Sequence, residues 1–184
     1  MRFILLLLIV LSGLNTMALS FEGKISKSKS QLLFLDINGR NSYSLIGATA
    51  IITTYLNKLS ENDFISVDGS KNELQKTLTV HSVNYFGLSA LLGSWFSDDF
   101  HCYNFTSFTE FSISRLSYGK KCLPAITPSY AYFVNPTASS WVMLLAGDRG
   151  SYVGDLTIIG PKDIEIKLYD SETSDILRKI RLRK

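Results

Sequence analysis

Hydrophobic and polar residues alternate with a period of two along most of the chain, which is the pattern of half-buried β-strands. From residue 78 to residue 85, Leu78 and Val80 fall on one face while His81 and Tyr85 fall on the other. The alternation stops between residues 87 and 95, where an apolar stretch bounded by glycines predicts a short buried turn or a helix of one or two turns. This stretch divides the chain into two β-rich parts.

The first part is predicted to hold five strands and one helix. Strands at 21–26 and 31–37 precede Asn38-Gly39, a pair typical of a type I′ hairpin, so residues 40–46 should return antiparallel. Residues 48–59 place apolar side chains on one helical face, although several β-branched residues leave a strand as the alternative. A short strand between a turn at Asn62 and an Asp68-Gly69 turn, then the strand at 78–85, complete this part.

The second part shows short strand patterns separated by turn signals such as Asn135-Pro136 and Gly160-Pro161. Seven strands are predicted, at 100–105, 109–115, 129–134, 141–146, 153–159, 163–169 and 176–182. So many short strands in so few residues favour an antiparallel meander that closes into a barrel or a sandwich.

The order of elements in the first part resembles an OB-fold over residues 21–86. The likeness is carried by three strands, a helix and two strands, and by Leu56-x-x-Leu59 followed by Asp63-Phe64-Ile65 and Gly69. The resemblance implies a five-stranded barrel with its helix between the third and fourth strands.

Residues 90–184 resemble a small lipocalin-like domain. The likeness is carried by Gly93-Ser94-Trp95, Tyr103-Asn104-Phe105, Tyr130-x-Tyr132, Trp141 and Leu168-Tyr169-Asp170. It implies that Trp95 closes one end of an up-and-down barrel. The fold class expected for the chain is therefore mainly β, with an OB-fold-like barrel at 21–88 packed against a second antiparallel barrel or sandwich at 89–184.

The first twenty residues, MRFILLLLIVLSGLNTMALS, have a basic start, an apolar run and a small-residue exit, as in a secretory signal peptide cleaved near Ser20. The apolar run is far shorter than the roughly 20 residues that span a bilayer. Cleavage would leave 18 basic and 16 acidic residues, a net charge of +2, which does not favour a nucleic-acid partner. The expected location is periplasmic or extracellular, without a transmembrane anchor.

The chain has two cysteines, Cys102 and Cys122, both in the exported part. An oxidising compartment favours a disulfide between them, and two unpaired buried thiols are the alternative. Neither a CxxC motif nor a nearby Cys/His cluster supports a metal site or a thiol nucleophile.

Few residues suggest catalysis. Asp98, Asp99 and His101 can ligate a divalent cation, but a solvated turn before a strand is the favoured interpretation of these residues. The sequence contains no Gly-x-Ser-x-Gly elbow and no phosphate-binding glycine loop, so no cofactor is predicted.

Seven residues are candidates for binding a ligand or a partner: Trp95, Tyr130, Tyr132, Trp141, Arg149, Arg181 and Arg183. The aromatic residues are otherwise expected to fill a small barrel. Arg149 lies in a predicted hairpin loop, and Arg181 and Arg183 alternate with apolar residues in the last strand, where charges also protect a sheet edge.

These features together predict an exported, non-enzymatic binding module. Its partner would be an envelope or extracellular protein, or an anionic polymer. Two other functions stay open, a carrier of a small apolar ligand in the second barrel and a hydrolase with an unrecognised site. A second barrel completely filled by Tyr130, Tyr132 and Trp141 would remove the basis for the carrier.

Overall fold

The structure is a computed structural model that describes residues 19–28, 31–117, 121–124, 129–147, 150–170 and 172–184. The expected signal segment, apart from its last two residues, lies outside these ranges, as does Arg149. Leu19 and Ser20 belong to the first strand, where they pair with Gly69 and Asp68.

The first part of the chain forms a ring of five strands with one helix. The elements are β1 (Leu19–Ser28), β2 (Gln31–Asp36), β3 (Ser42–Gly47), α1 (Ala50–Asn57), β4 (Phe64–Asn72) and β5 (Thr77–Gly87). Strand β1 pairs with β2 and β4, β2 also pairs with β3, and β4 with β5, all antiparallel. The parallel pair of β3 and β5 closes the ring.

The second part of the chain is an eight-stranded antiparallel barrel. Its strands are β6 (Gly93–Ser97), β7 (His101–Phe105), β8 (Glu110–Arg115), β9 (Tyr130–Pro136), β10 (Trp141–Gly147), β11 (Gly150–Gly160), β12 (Asp163–Tyr169) and β13 (Ile176–Arg183). Each strand pairs with the next along the chain, and β13 pairs with β6 to close the barrel. The expected fold class is confirmed as a mainly β chain with one helix, in which a closed antiparallel barrel carries further strands packed outside it.

The two rings meet at a compact apolar contact. Phe86 at the end of β5 pairs with Val134 of β9, and its ring lies 5.6 Å from the ring of Trp141. Phe108, in the loop between β7 and β8, stacks on Phe64 of the first ring with centroids 5.8 Å apart. This contact makes the five-stranded ring a support for one side of the barrel.

Hydrogen bonds from side chains to backbone carbonyl oxygens reinforce the same contact. The ammonium of Lys58, just after α1, donates to the carbonyl oxygens of Thr137 and Ser140 in the loop between β9 and β10. The hydroxyl of Tyr85 donates to the carbonyl oxygen of Phe108. Side chains of the five-stranded ring therefore fix two loops of the barrel.

The helix expected at residues 48–59 is present as α1, so the alternative of a strand is wrong. Thr49 caps its start, since the Thr49 hydroxyl accepts a hydrogen bond from the Ile52 backbone N–H at 3.2 Å. Leu56 is the buried residue of the helix, which covers the ring between β3 and β5.

Two predicted turns are wrong in detail. The hairpin between β2 and β3 exists, but only Gly39 of the Asn38-Gly39 pair has a positive φ, at 64°, so the turn is not type I′. Asp36 instead organises a longer loop, because its carboxylate accepts from the Arg40 backbone N–H at 3.0 Å and the Asn41 side chain at 3.1 Å.

The predicted Asp68-Gly69 turn is an irregularity inside β4. Pairing with β5 shifts register between Asp68 and Gly69, and the chain reverses later, at residues 73–76. A Cβ at Gly69 would lie 2.4 Å from the carbonyl oxygen of Thr79, so the glycine permits close strand contact. Gly69 thus lies at a β-bulge within β4 and not in a turn.

The two cysteines are joined, which confirms the predicted pair. Cys102 of β7 and Cys122 have Cα atoms 5.6 Å apart and close a separation of 20 residues. Next to the bond, Leu116 and Cys122 form an isolated antiparallel bridge. The disulfide therefore ties the segment after β8 to the barrel wall.

Candidate ligand-binding cavity

The barrel holds an apolar cavity of about 490 Å³ between its inner walls. Every strand from β7 to β13 contributes to the lining. The lining residues are Tyr103, Phe105, Phe111, Ile113, Tyr130, Met143, Leu145, Ala146, Gly147, Tyr152, Ile166, Leu168, Leu177, Arg178 and Ile180. The cavity lies towards the end of the barrel where β8 leads into β9 and β12 leads into β13.

The opposite end of the barrel is closed by Trp95. This side chain is fully buried, and its indole N–H donates to the carbonyl oxygen of Leu91 at 2.6 Å. The ammonium of Lys184 lies 4.5 Å from the centre of the indole ring and donates to the carbonyl oxygen of Leu92. Trp95 thus fills the base of the barrel, and the free space lies above it.

Stacked aromatic rings form one wall of the cavity. The ring of Phe111 lies 5.2 Å from those of Phe105 and Tyr130 and 6.5 Å from that of Tyr103. Tyr130 lies close against Gly147, where a Cβ would come within 2.2 Å of the ring. Packing of rings against one another makes this wall rigid and apolar, which suits a hydrophobic ligand.

Arg178 is the one charged residue among the described residues that line the cavity. Arg178 of β13 pairs with Leu168 of β12, which also lines the cavity, so Arg178 lies on the inward side of its strand at the rim of the barrel. Its guanidinium donates to the carboxylate of Asp99 in the turn between β6 and β7. The cavity thus has an apolar body and a single cationic position at its edge.

Asp99 sits in a small polar group beside that rim. Its carboxylate accepts from the Ser97 hydroxyl, and one oxygen lies 3.2 Å from Nδ1 of His101. Partial burial acts to raise the pKa of Asp99, but Ser97, His101 and Arg178 outweigh it and lower the pKa. Asp99 is therefore ionised at neutral pH and available to neutralise Arg178.

Among the aromatic residues proposed from the sequence, only Tyr130 lines the cavity. Tyr132 is fully buried in the wall, and its hydroxyl donates to the carbonyl oxygen of Ser107 at 3.0 Å. Trp95 lies at the base and Trp141 at the contact between the two rings. These positions make Trp95, Tyr132 and Trp141 part of the framework around the cavity.

The two C-terminal arginines lie outside the cavity and have acidic partners. Arg181 makes two hydrogen bonds to Asp163, one of them 3.0 Å long, and Arg183 donates to Asp98 at 2.8 Å. Both side chains thus form ion pairs outside the interior cavity, and Arg181 lines a smaller hollow on the surface beside β13.

Asp98, Asp99 and His101, considered above for cation binding, are engaged with arginines or with each other. Within the described ranges, no three His, Cys, Asp or Glu side chains are grouped so as to hold a metal ion. His81 contacts Ser70, with Nε2 2.9 Å from the hydroxyl, but both residues are exposed on a strand surface. A serine and a histidine without a cleft or an oxyanion site do not make a nucleophile.

Sequence reasoning missed most residues of the cavity, including Met143, Leu145 and Arg178. The signal for Arg178 was present, since it has the same parity as the inward residues Ile180 and Leu182 of β13. Simple alternation instead divides the basic C-terminal run into outward charges and inward apolar residues. Which inward positions leave free space depends on barrel closure, which the alternation alone does not specify.

Searches with family models, curated proteins and solved structures found no match to this chain. Among the described residues, no helix has the length and apolar character needed to cross a membrane.

Proposed function

We propose that the protein binds a small, largely apolar ligand inside its eight-stranded barrel. The observation that carries the proposal is the cavity above Trp95, because its volume falls within the range of about 300–1,000 Å³ typical of small-molecule sites. Its lining is almost wholly aliphatic and aromatic, so burial of a ligand would be favoured mainly by the hydrophobic effect. This proposal agrees with the lipocalin-like resemblance of residues 90–184.

The pairing of cations on the surface favours binding of an apolar ligand over binding of an anionic polymer. Polymer binding needs several free cations on one surface, whereas Arg181 and Arg183 already pair with carboxylates. In the first ring, the ammonium of Lys71 lies over the ring of Tyr43 at 4.4 Å, and Lys76 pairs with Glu73. Recognition of an envelope or extracellular protein stays a prediction.

We further propose that the chain is exported and divides into the units 21–88 and 89–184 after removal of its first twenty residues. The disulfide between Cys102 and Cys122 supports an oxidising location. The ring closed by β3 and β5, with α1 between β3 and β4, supports the OB-fold-like relationship of the first unit. In this arrangement the first unit supports the barrel beside Trp141 and leaves its open end accessible.

The proposal is tested by titrating the purified protein with the fluorescent, uncharged probe 1-aminoanthracene. The wild type is expected to bind with a saturable rise in fluorescence. Leu145→Trp should weaken the binding of the probe, because residue 145 lines the cavity and the larger indole ring would take up part of its volume. Leu168→Trp, on β12, repeats this test from another strand.

Leu144→Trp is the matched control, since Leu144 neighbours Leu145 but is 41% exposed on the outer surface of the barrel. It should bind the probe like the wild type. Circular dichroism would establish that each variant is folded. A wild type that shows no saturable binding, or equal loss in the Leu144 and Leu145 variants, would contradict the proposed cavity site.

A further inference from the structure

The cavity is not uniformly apolar, and its one cationic side chain lies at the rim. Arg178 lines both the interior cavity and a smaller surface hollow that contains Ser97, Asp98 and Asp99. Its side chain is 51% exposed, so the guanidinium stands between the apolar interior and solvent. A ligand that fills the interior therefore presents one end to this side chain.

A hydrogen-bond donor lies close to the same place. Tyr103 is 5% exposed, lines the cavity, and is near enough to Arg178 to interact with it electrostatically. Burial raises the pKa of Tyr103, so its hydroxyl stays protonated and can donate a hydrogen bond. A guanidinium and a phenol beside an apolar cavity are complementary to an anionic group attached to an apolar chain.

From this juxtaposition we infer that the ligand is an amphiphilic anion whose apolar part fills the barrel and whose head group, a carboxylate or a phosphate, pairs with Arg178. The inference rests on the proposed function, because it needs the cavity to be a binding site. Asp99 occupies the guanidinium in the structure described here. The ligand head group takes the place of that carboxylate, so Asp99 competes with the ligand.

The size of the cavity limits the ligand. At about 30 Å³ for a water-sized group, a volume of about 490 Å³ corresponds to roughly 16 non-hydrogen groups. Decanoate, decyl phosphate and decanol each have fewer non-hydrogen atoms than this limit, and each has a linear skeleton of ten carbon atoms. They differ in the head group, so comparison among them isolates the contribution of charge.

The test is isothermal titration calorimetry of the full protein with these three compounds at low ionic strength. Decanoate, decyl phosphate or both should bind at least about tenfold more tightly than decanol, since hydrogen bonds to charged groups are the stronger class. The tighter of the two anions identifies the head group. Because Arg178 is half exposed, the preference should shrink as salt is added.

Two variants should act in opposite directions on the anions. Arg178→Gln should weaken anion binding to the level of decanol, whereas Asp99→Asn should tighten it by removing the competing carboxylate. The ratio of anion affinity to decanol affinity is the quantity to compare, because a purely structural disturbance would weaken all three compounds alike and leave this ratio unchanged. Lys179→Gln is the matched charge control, because Lys179 pairs with Glu165 at 2.8 Å on the outer surface.

The outcomes separate the two claims. Equal binding of decanol and both anions, or unchanged anion binding in Arg178→Gln, overturns the head-group inference and leaves the apolar site standing. Failure of all three compounds and of 1-aminoanthracene to bind overturns the proposed function and the inference with it. Equal losses in the Arg178 and Lys179 variants would assign the effect to overall charge and also overturn the inference.

Discussion

The disulfide between Cys102 and Cys122 gives a quantitative prediction for stability. The bond closes a separation of 20 residues and joins β7 to the segment after β8. Loss of loop-closure entropy in the unfolded chain implies that such a bond stabilises the fold by about 3 kcal/mol. The double variant Cys102→Ala/Cys122→Ala should lose about this amount, because alanine keeps the buried position of Cys102 apolar.

Urea unfolding followed by tryptophan fluorescence measures this difference. With an m-value of about 2 kcal/mol per molar urea, the midpoint should fall by about 1.5 M. Wild type treated with dithiothreitol is the matched control and should unfold close to the double variant. If the midpoint of the double variant lay within about 0.3 M of that of the oxidised wild type, the disulfide would not stabilise the fold by constraining the unfolded chain.

The remaining predictions concern the contact between the two rings. Gly87→Ala should lower the free energy of unfolding in urea by about 1–3 kcal/mol, because the added Cβ would lie 2.7 Å from the Phe108 ring. Gly160→Ala is the control and should leave it nearly unchanged, since a Cβ there meets nothing within 4 Å. Lys58→Met should also destabilise the protein by about 1–3 kcal/mol, since two backbone carbonyls lose their charged donor; an unchanged midpoint would contradict this. Burial raises the pKa of Tyr85 from 10.0 to about 12. Between pH 10 and 12 this tyrosine therefore loses its proton in the unfolded chain but keeps it in the folded protein, so the free energy of unfolding should fall as the pH rises. Tyr85→Phe should reduce that fall.

The sequence predicted most strands of the barrel because turn residues separate its alternating segments. The strand expected at 163–169 has the same bounds as β12, and that expected at 176–182 lacks only the last residue of β13. Strand β6 was missed, since its five residues follow the apolar stretch around Leu91 and begin at Gly93, whose φ is 101°. A local pattern this short does not reveal a strand that is defined by its pairing partners β7 and β13.

The cavity could not be predicted for a related reason. Alternation identifies side chains that point inward, but not whether inward side chains from distant strands meet and fill the space between them. The sequence predicts that Trp95 closes one end of the barrel, and the side chain is fully buried and donates to the carbonyl oxygen of Leu91. At the other end, Tyr130 stacks on Phe111, lies beside Gly147 and lines the free space.

Crystallography of the protein soaked with a brominated decanol would locate the bound ligand, because anomalous scattering reveals the position of the bromine without assumptions about affinity. We expect a bromine peak inside the eight-stranded barrel, between the aromatic wall around Phe111 and the side chains of Met143 and Leu168. A peak confined to the outer surface, or an interior filled by side chains of the barrel itself, would contradict it.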